Sequence, residues 1–188
     1  GGSGKVASAT YAQALGYARI NSANERKPYL YVLGGDAASG YFETMPVHLT
    51  AGELPKSSSE IILPEHLATN GKVSYKIGDT VTFEVGDRIL DNKSLGQINP
   101  FFTYDSEIQA EVKNDEKLEN TVARTYTVVG IYERPAFENT DAPGYTALTV
   151  ADRGADGQSP IDCYFKMKKP SAVYNFMKET GYTDAYRY

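Results

Sequence analysis

Apolar and polar residues alternate with a period of two along several stretches of this chain, the signature of strands with one buried face. In YKIGDTVTFEV (residues 75–85), Val81, Phe83 and Val85 alternate with Thr82 and Glu84. Gly78-Asp79 supplies turn chemistry just ahead of them, because glycine reaches positive φ and aspartate bonds to its own turn. TYTVVGIY (125–132) is β-branched and aromatic on both faces and predicts a more central strand of the same sheet. Gly130 inside it marks a bulge or a close backbone approach.

Further strands are predicted around these two. Residues 6–20 read as extended, and YLYVL (29–33) follows a polar turn at 21–27, so the two predict an antiparallel hairpin. Residues 45–50, 60–63, 145–150 and 161–168 are further strand candidates. Pro64 suits the first position of a short helix over 64–70 stopped by Gly71. After Pro170, Val173, Phe176 and Met177 fall on one face of a helix over 171–180, which Gly181 caps. Residues 86–124 are charge-rich and too many for a structureless loop. Ile108, Ala110 and Val112 predict a hairpin there, with a turn at 114–117 and Phe101, Phe102 and Tyr104 on the approach.

Composition narrows the classes of function. The chain has 188 residues, 41% of them hydrophobic and 23% charged, enough for one large domain or two small lobes. The net charge is −5 and no basic stripe exists, so nucleic acid is not an expected partner; Lys166, Lys168 and Lys169 read as a solvated strand end. No run approaches the roughly 18–20 apolar residues that span a bilayer. Gly1-Gly2-Ser3-Gly4 reads as an added linker on a piece of a longer protein, whose other parts are open to including membrane helices. Fifteen tyrosines serve either as core or as a contact face for peptide or sugar.

Candidate chemistry is sparse. Cys163 alternates in phase with Ile161, Phe165 and Met167, which predicts a buried, inert thiol. Residues 34–40 are glycine-rich but lack the spacing and the lysine of a phosphate loop, and Asp152, Asp156 and Gly157 do not fit a calcium loop. Nothing beside Ser57, Ser58 and Ser59 would activate a nucleophile. An enzyme would have to draw on His48 and His66 with Glu65 or Asp79, yet the histidines lack metal-site spacing. His66 reads as a surface or capping residue, and Glu65 as a first-turn acid favoured by the helix dipole. No catalytic, cofactor-binding or metal-binding residue is assigned.

Three blocks in order carry a family resemblance: GELPKSSSEIILPEHLA (52–68), YKIGDTVTFEV (75–85) and TYTVVGIYERP (125–135). Together they resemble the extracytoplasmic core domain of MacB-like, FtsX-type ABC transporter permeases. DCYFKMKKPSAVYNFMKETGY (162–182) is similar to that family's last strand and helix before its second membrane helix. The resemblance covers most of 29–182, and the 86–124 insertion is longer than in compact members. It implies an α+β fold of two lobes: a β-rich inserted lobe over 41–133, and an α+β lobe formed by both chain ends, 5–40 and 134–188. It implies an excised extracytoplasmic domain of the cell membrane, with no catalysis and no cofactor, that couples cytoplasmic ATP hydrolysis to export or to regulation of a partner. The implied partners are its own flanking transmembrane helices, the ATP-binding subunit, and a second permease ectodomain or other extracytoplasmic protein. The alternative is a free-standing cell-surface binding or adhesion module with a tyrosine-rich face.

Overall fold

A computed structural model describes residues 4–152 and 160–181. The fold is α+β and mostly strand. Eleven strands are described: β1 (Val6–Arg19), β2 (Tyr29–Gly35), β3 (Leu49–Gly52), β4 (Glu60–Pro64), β5 (Thr80–Leu90), β6 (Lys93–Leu95), β7 (Phe102–Asp105), β8 (Ala110–Lys113), β9 (Lys117–Tyr132), β10 (Gly144–Val150) and β11 (Ile161–Met167). Three short helices accompany them: α1 (Tyr41–Thr44), α2 (Glu65–Thr69) and α3 (Val173–Thr180).

Nine of the strands form one mixed sheet in the order β11-β1-β2-β10-β4-β9-β5-β6, with β3 added on β9. β10 runs parallel to β2, and β4 parallel to β9; the other pairs are antiparallel. β1 also pairs with β5 at Tyr17↔Gly86 and Ala18↔Val85. That pairing closes β1, β2, β10, β4, β9 and β5 into a ring. The segments expected to build two lobes therefore share a sheet: β10 bonds to β2 on one side and to β4 on the other.

Each strand of the ring turns alternate side chains inward. Ala18, Leu30, Val32, Tyr145, Ala147, Ile61, Leu63, Tyr126, Val128, Phe83 and Val85 form one buried cluster that draws on all six strands, with Leu67 of α2 packed into it. Burying each large apolar side chain there contributes about 1.5–3 kcal/mol. A second cluster on the outer face joins Leu33, Ile62, Tyr132 and Leu148 to Tyr41 and Met45. With both faces covered, β10 is buried along nearly its whole length.

The ring closes where two strands bulge. The β1–β2 register shifts at Ala14/Gly16, and the β5–β9 register shifts at Val85/Asp87, across Gly86. Gly16 has φ +126°, and a Cβ on it would lie 2.5 Å from the Gly86 carbonyl oxygen. A Cβ on Gly86 would lie 2.3 Å from the carbonyl oxygen of Glu119. The two glycines thus allow β1 and β5 to bend and their backbones to meet.

Several expectations are corrected. Residues 45–48 are not strand; α1 precedes them, and β3 begins only at Leu49. Pro64 ends β4, and the helix starts at Glu65. Ile108 lies in the turn of the insertion hairpin, whose strands are β7 and β8. Cys163 is exposed and Ile161 is 66% exposed, because β11 is an edge strand whose outer face meets α3 at Phe165–Phe176. The expected close approach at Gly130 is present, where a Cβ would fall 2.6 Å from the Glu53 carbonyl oxygen. Gly181 caps α3 in the left-handed region, its N–H donating to the Met177 carbonyl. Asp156 and Gly157 lie outside the described residues.

Candidate functional site

The residues an enzyme would need do not converge. His48 is exposed, and its backbone carbonyl accepts from the Glu133 N–H at 2.9 Å. Glu65 is exposed and Asp79 half-buried, and Asp79 accepts the Lys76 N–H within its own turn. Among the described residues, no hydrogen bond, ion pair or ring contact joins His48 to His66. No group of three His, Cys, Asp or Glu among those residues is placed to hold a metal ion.

His66 has a partner that the sequence did not disclose. Its Nε2 lies 2.7 Å from Oε1 of Glu138, a carboxylate with no exposed side-chain surface in the loop between β9 and β10. Lys27 Nζ donates to the same oxygen at 3.2 Å and to the Ala142 carbonyl at 2.6 Å. The Thr146 N–H donates to Oε2 at 2.7 Å, and Arg134 Nε stands 3.5 Å from Oε1. Burial would raise the Glu138 carboxyl, but the hydrogen bond from His66 and the charges of Lys27 and His66 hold it below the usual glutamate value. The burial cost falls instead on Lys27, whose ammonium is pushed below the usual lysine range against the pull of Glu138. His66 Nδ1 is buried without a partner, so the ring's one polar contact among the described residues is the one between Nε2 and the carboxylate. With its oxygens occupied in this way, Glu138 clamps the 134–143 loop to α2 and to the start of β2.

A second buried ion pair anchors the insertion. Arg88 and Glu116 both have fully buried side chains. Arg88 Nε and Nη2 donate to the two carboxylate oxygens at 2.6 and 2.7 Å, in the paired geometry a guanidinium favours. Its other bonds reach the carbonyls of Gly96 at 2.9 Å and Asn99 at 3.0 Å. The guanidinium carbon lies 5.2 Å from the Tyr17 ring centroid and 5.4 Å from that of Tyr29. Burial opposes the charge of Arg88, but Glu116 more than offsets it and raises its pKa. Gln97 adds a tie to β10 by bonding both the N–H and the carbonyl of Gly144.

The outer surface of this anchored insertion is apolar and acidic. Ile98, Tyr104 and Ile108 are each more than half exposed, and Val112 is 38% exposed. Residues 91–116 hold six acids against Lys93 and Lys113; Glu116 is buried against Arg88 and Glu111 is paired with Arg26, which leaves Asp91, Asp105, Glu107 and Asp115 against the two lysines. The insertion is therefore the candidate contact surface.

No family model matches the chain, and no curated protein does. Among solved structures, it is similar to a domain of a Porphyromonas gingivalis protein named as a permease, at 14% identity and a TM-score of 0.45, over 94% of this chain and 65% of that one. It is also similar to the extracellular domain of the noncanonic ABC-type transporter YknZ from Gram-positive bacteria, at 10% identity and a TM-score of 0.47, over 96% of this chain and 79% of that one. The chain thus spans just under two thirds of the first of these.

Proposed function

We propose that this chain is the extracytoplasmic domain of an FtsX-type ABC transporter permease subunit. In this reading it carries no reaction chemistry and couples ATP hydrolysis on the far side of the membrane to a substrate or partner outside it. One observation carries the proposal: the two ends of the described chain lie side by side. Val6 pairs with Met167, the Lys168 N–H donates to the Lys5 carbonyl at 2.9 Å, and Lys5 Nζ is in an ion pair with Glu179 of α3. A domain inserted between two membrane helices must return its chain to the point where it left, and motion of those helices then moves the domain as a body. The blocks that carry the family resemblance support the same reading, since β3, β4, β5 and β9 are neighbours in the sheet. The 91–116 insertion then presents its acidic, apolar surface to a second ectodomain or another extracytoplasmic protein.

A free-standing adhesion module would use a tyrosine face. Instead Tyr17, Tyr29, Tyr41, Tyr126, Tyr132 and Tyr145 are buried, and the exposed tyrosines among the described residues are Tyr11, Tyr104 and Tyr174. The test is purification of the complete gene product in detergent from cells that express it with its neighbouring genes. An ATP-hydrolysing subunit is expected to co-purify from the membrane fraction. A full-length protein found in the soluble fraction with no ATPase would overturn the proposal.

A further inference from the structure

A groove of about 580 Å³ lies between the connection from β1 to β2 and the base of the insertion. Its lining includes Arg19, Ser22, Glu25, Phe101, Phe102 and Lys113. Phe101 is 3% exposed and is held edge-on to Tyr29, with ring centroids 5.8 Å apart. Two cations gather at this one ring: Arg19 Cζ lies 5.2 Å from its centroid and Lys113 Nζ 5.4 Å. Both side chains belong to exposed residues, and neither is in an ion pair among the described residues. Glu25 lines the groove but pairs with neither. The adjacent Arg26, 5.3 Å from the Phe102 ring, is already neutralised by Glu111.

In a chain of net charge −5, Arg19 and Lys113 outweigh the single acid Glu25 in this lining and leave a local positive excess in the concavity. The volume falls within the range of roughly 300–1,000 Å³ usual for small-molecule sites.

We infer that this groove binds an anion carried on a flat apolar body: a carboxylate, sulfonate or phosphate held by Arg19 and Lys113, with the apolar part against the half-buried Phe102. The inference does not rest on the permease reading. The same chemistry belongs to a free aryl or acyl anion and to an anionic lipid headgroup with its first chain carbons.

The probe for the free source is 8-anilinonaphthalene-1-sulfonate, followed by its fluorescence against the 188-residue protein. Vesicles of phosphatidylglycerol, compared with phosphatidylcholine in co-sedimentation, probe the lipid source. We expect saturable 1:1 binding of the sulfonate, or sedimentation with phosphatidylglycerol alone, or both; each supports the site and tells the sources apart. Arg19→Gln and Lys113→Gln should each weaken the interaction about tenfold, while Lys93→Gln, outside the groove, leaves it unchanged. Raising NaCl from about 0.05 to about 0.5 M should weaken it as well, because exposed charges are screened. The uncharged N-phenyl-1-naphthylamine should not compete. Circular dichroism of each variant separates lost binding from lost fold. Binding of neither probe, or sulfonate binding that survives Arg19→Gln and Lys113→Gln in folded protein, would overturn the inference.

Discussion

Glu138 shows how a single residue outside any recognisable motif comes to hold several elements. Two of its partners, Lys27 and His66, come from parts of the chain remote in sequence, and the third, Thr146, lies eight residues on in β10. Removing the carboxylate by Glu138→Ala leaves a buried ammonium unpaired, so we expect a loss of about 3–5 kcal/mol in urea unfolding. The pH dependence follows from the sign of the shift. Glu138 has a folded-state pKa below its unfolded value, so its contribution is complete above about pH 4.3 and is lost as pH falls through the folded value. The stability gap between the wild type and Glu138→Gln should therefore be largest near neutrality and shrink in acid. A gap that stays constant from neutrality down through that window would show that the carboxylate is not ionised in the fold. None of this was legible in the sequence, where Glu138 is one acid in a proline-flanked loop and His66 reads as a surface residue.

At the scale of elements, the two-residue period foretold most strands of the ring, because one inward face leaves a regular trace. It did not foretell coverage. Cys163 shares a face with Phe165, as its phase implies, yet that face is covered by α3 only in part and the cysteine is left exposed. The insertion was harder still, since Asp91, Asn92 and Gln109 take positive φ where the chain offers no glycine as a signal. Three variants test the element-level account. Gly86→Ala puts a methyl 2.3 Å from a backbone oxygen at the ring closure and should cost about 2–4 kcal/mol. Gly78→Ala has positive φ but open space, and should cost only about 1 kcal/mol in the same denaturant titration. Arg88→Lys keeps the charge but loses the paired geometry to Glu116 and the bonds to Gly96 and Asn99. We expect amide hydrogens of residues 96–116 to exchange at least about tenfold faster in that variant while those of β10 stay protected. Equal acceleration across both would mean that Arg88 supports the ring and not the insertion.

At the scale of the whole molecule, a six-strand ring with its chain ends together carries an acidic, apolar insertion on two firm anchors. In the role we propose, force applied at the adjoining ends would reach the insertion through a ring closed by hydrogen bonds, which resists deformation. That proposed role requires the domain to stand outside the cytoplasmic membrane, and Cys163 offers a native reporter on the edge strand that pairs with β1. Partial burial, and then the charge of Asp162, raise its thiol above the usual value, which slows labelling but leaves the group accessible. The most direct measurement is therefore treatment of intact cells expressing the complete gene with a membrane-impermeant maleimide, with Cys163→Ser as the reference. Labelling at Cys163 in unbroken cells, on a protein that sediments with membranes, is the predicted result; labelling that appears only after lysis would contradict it.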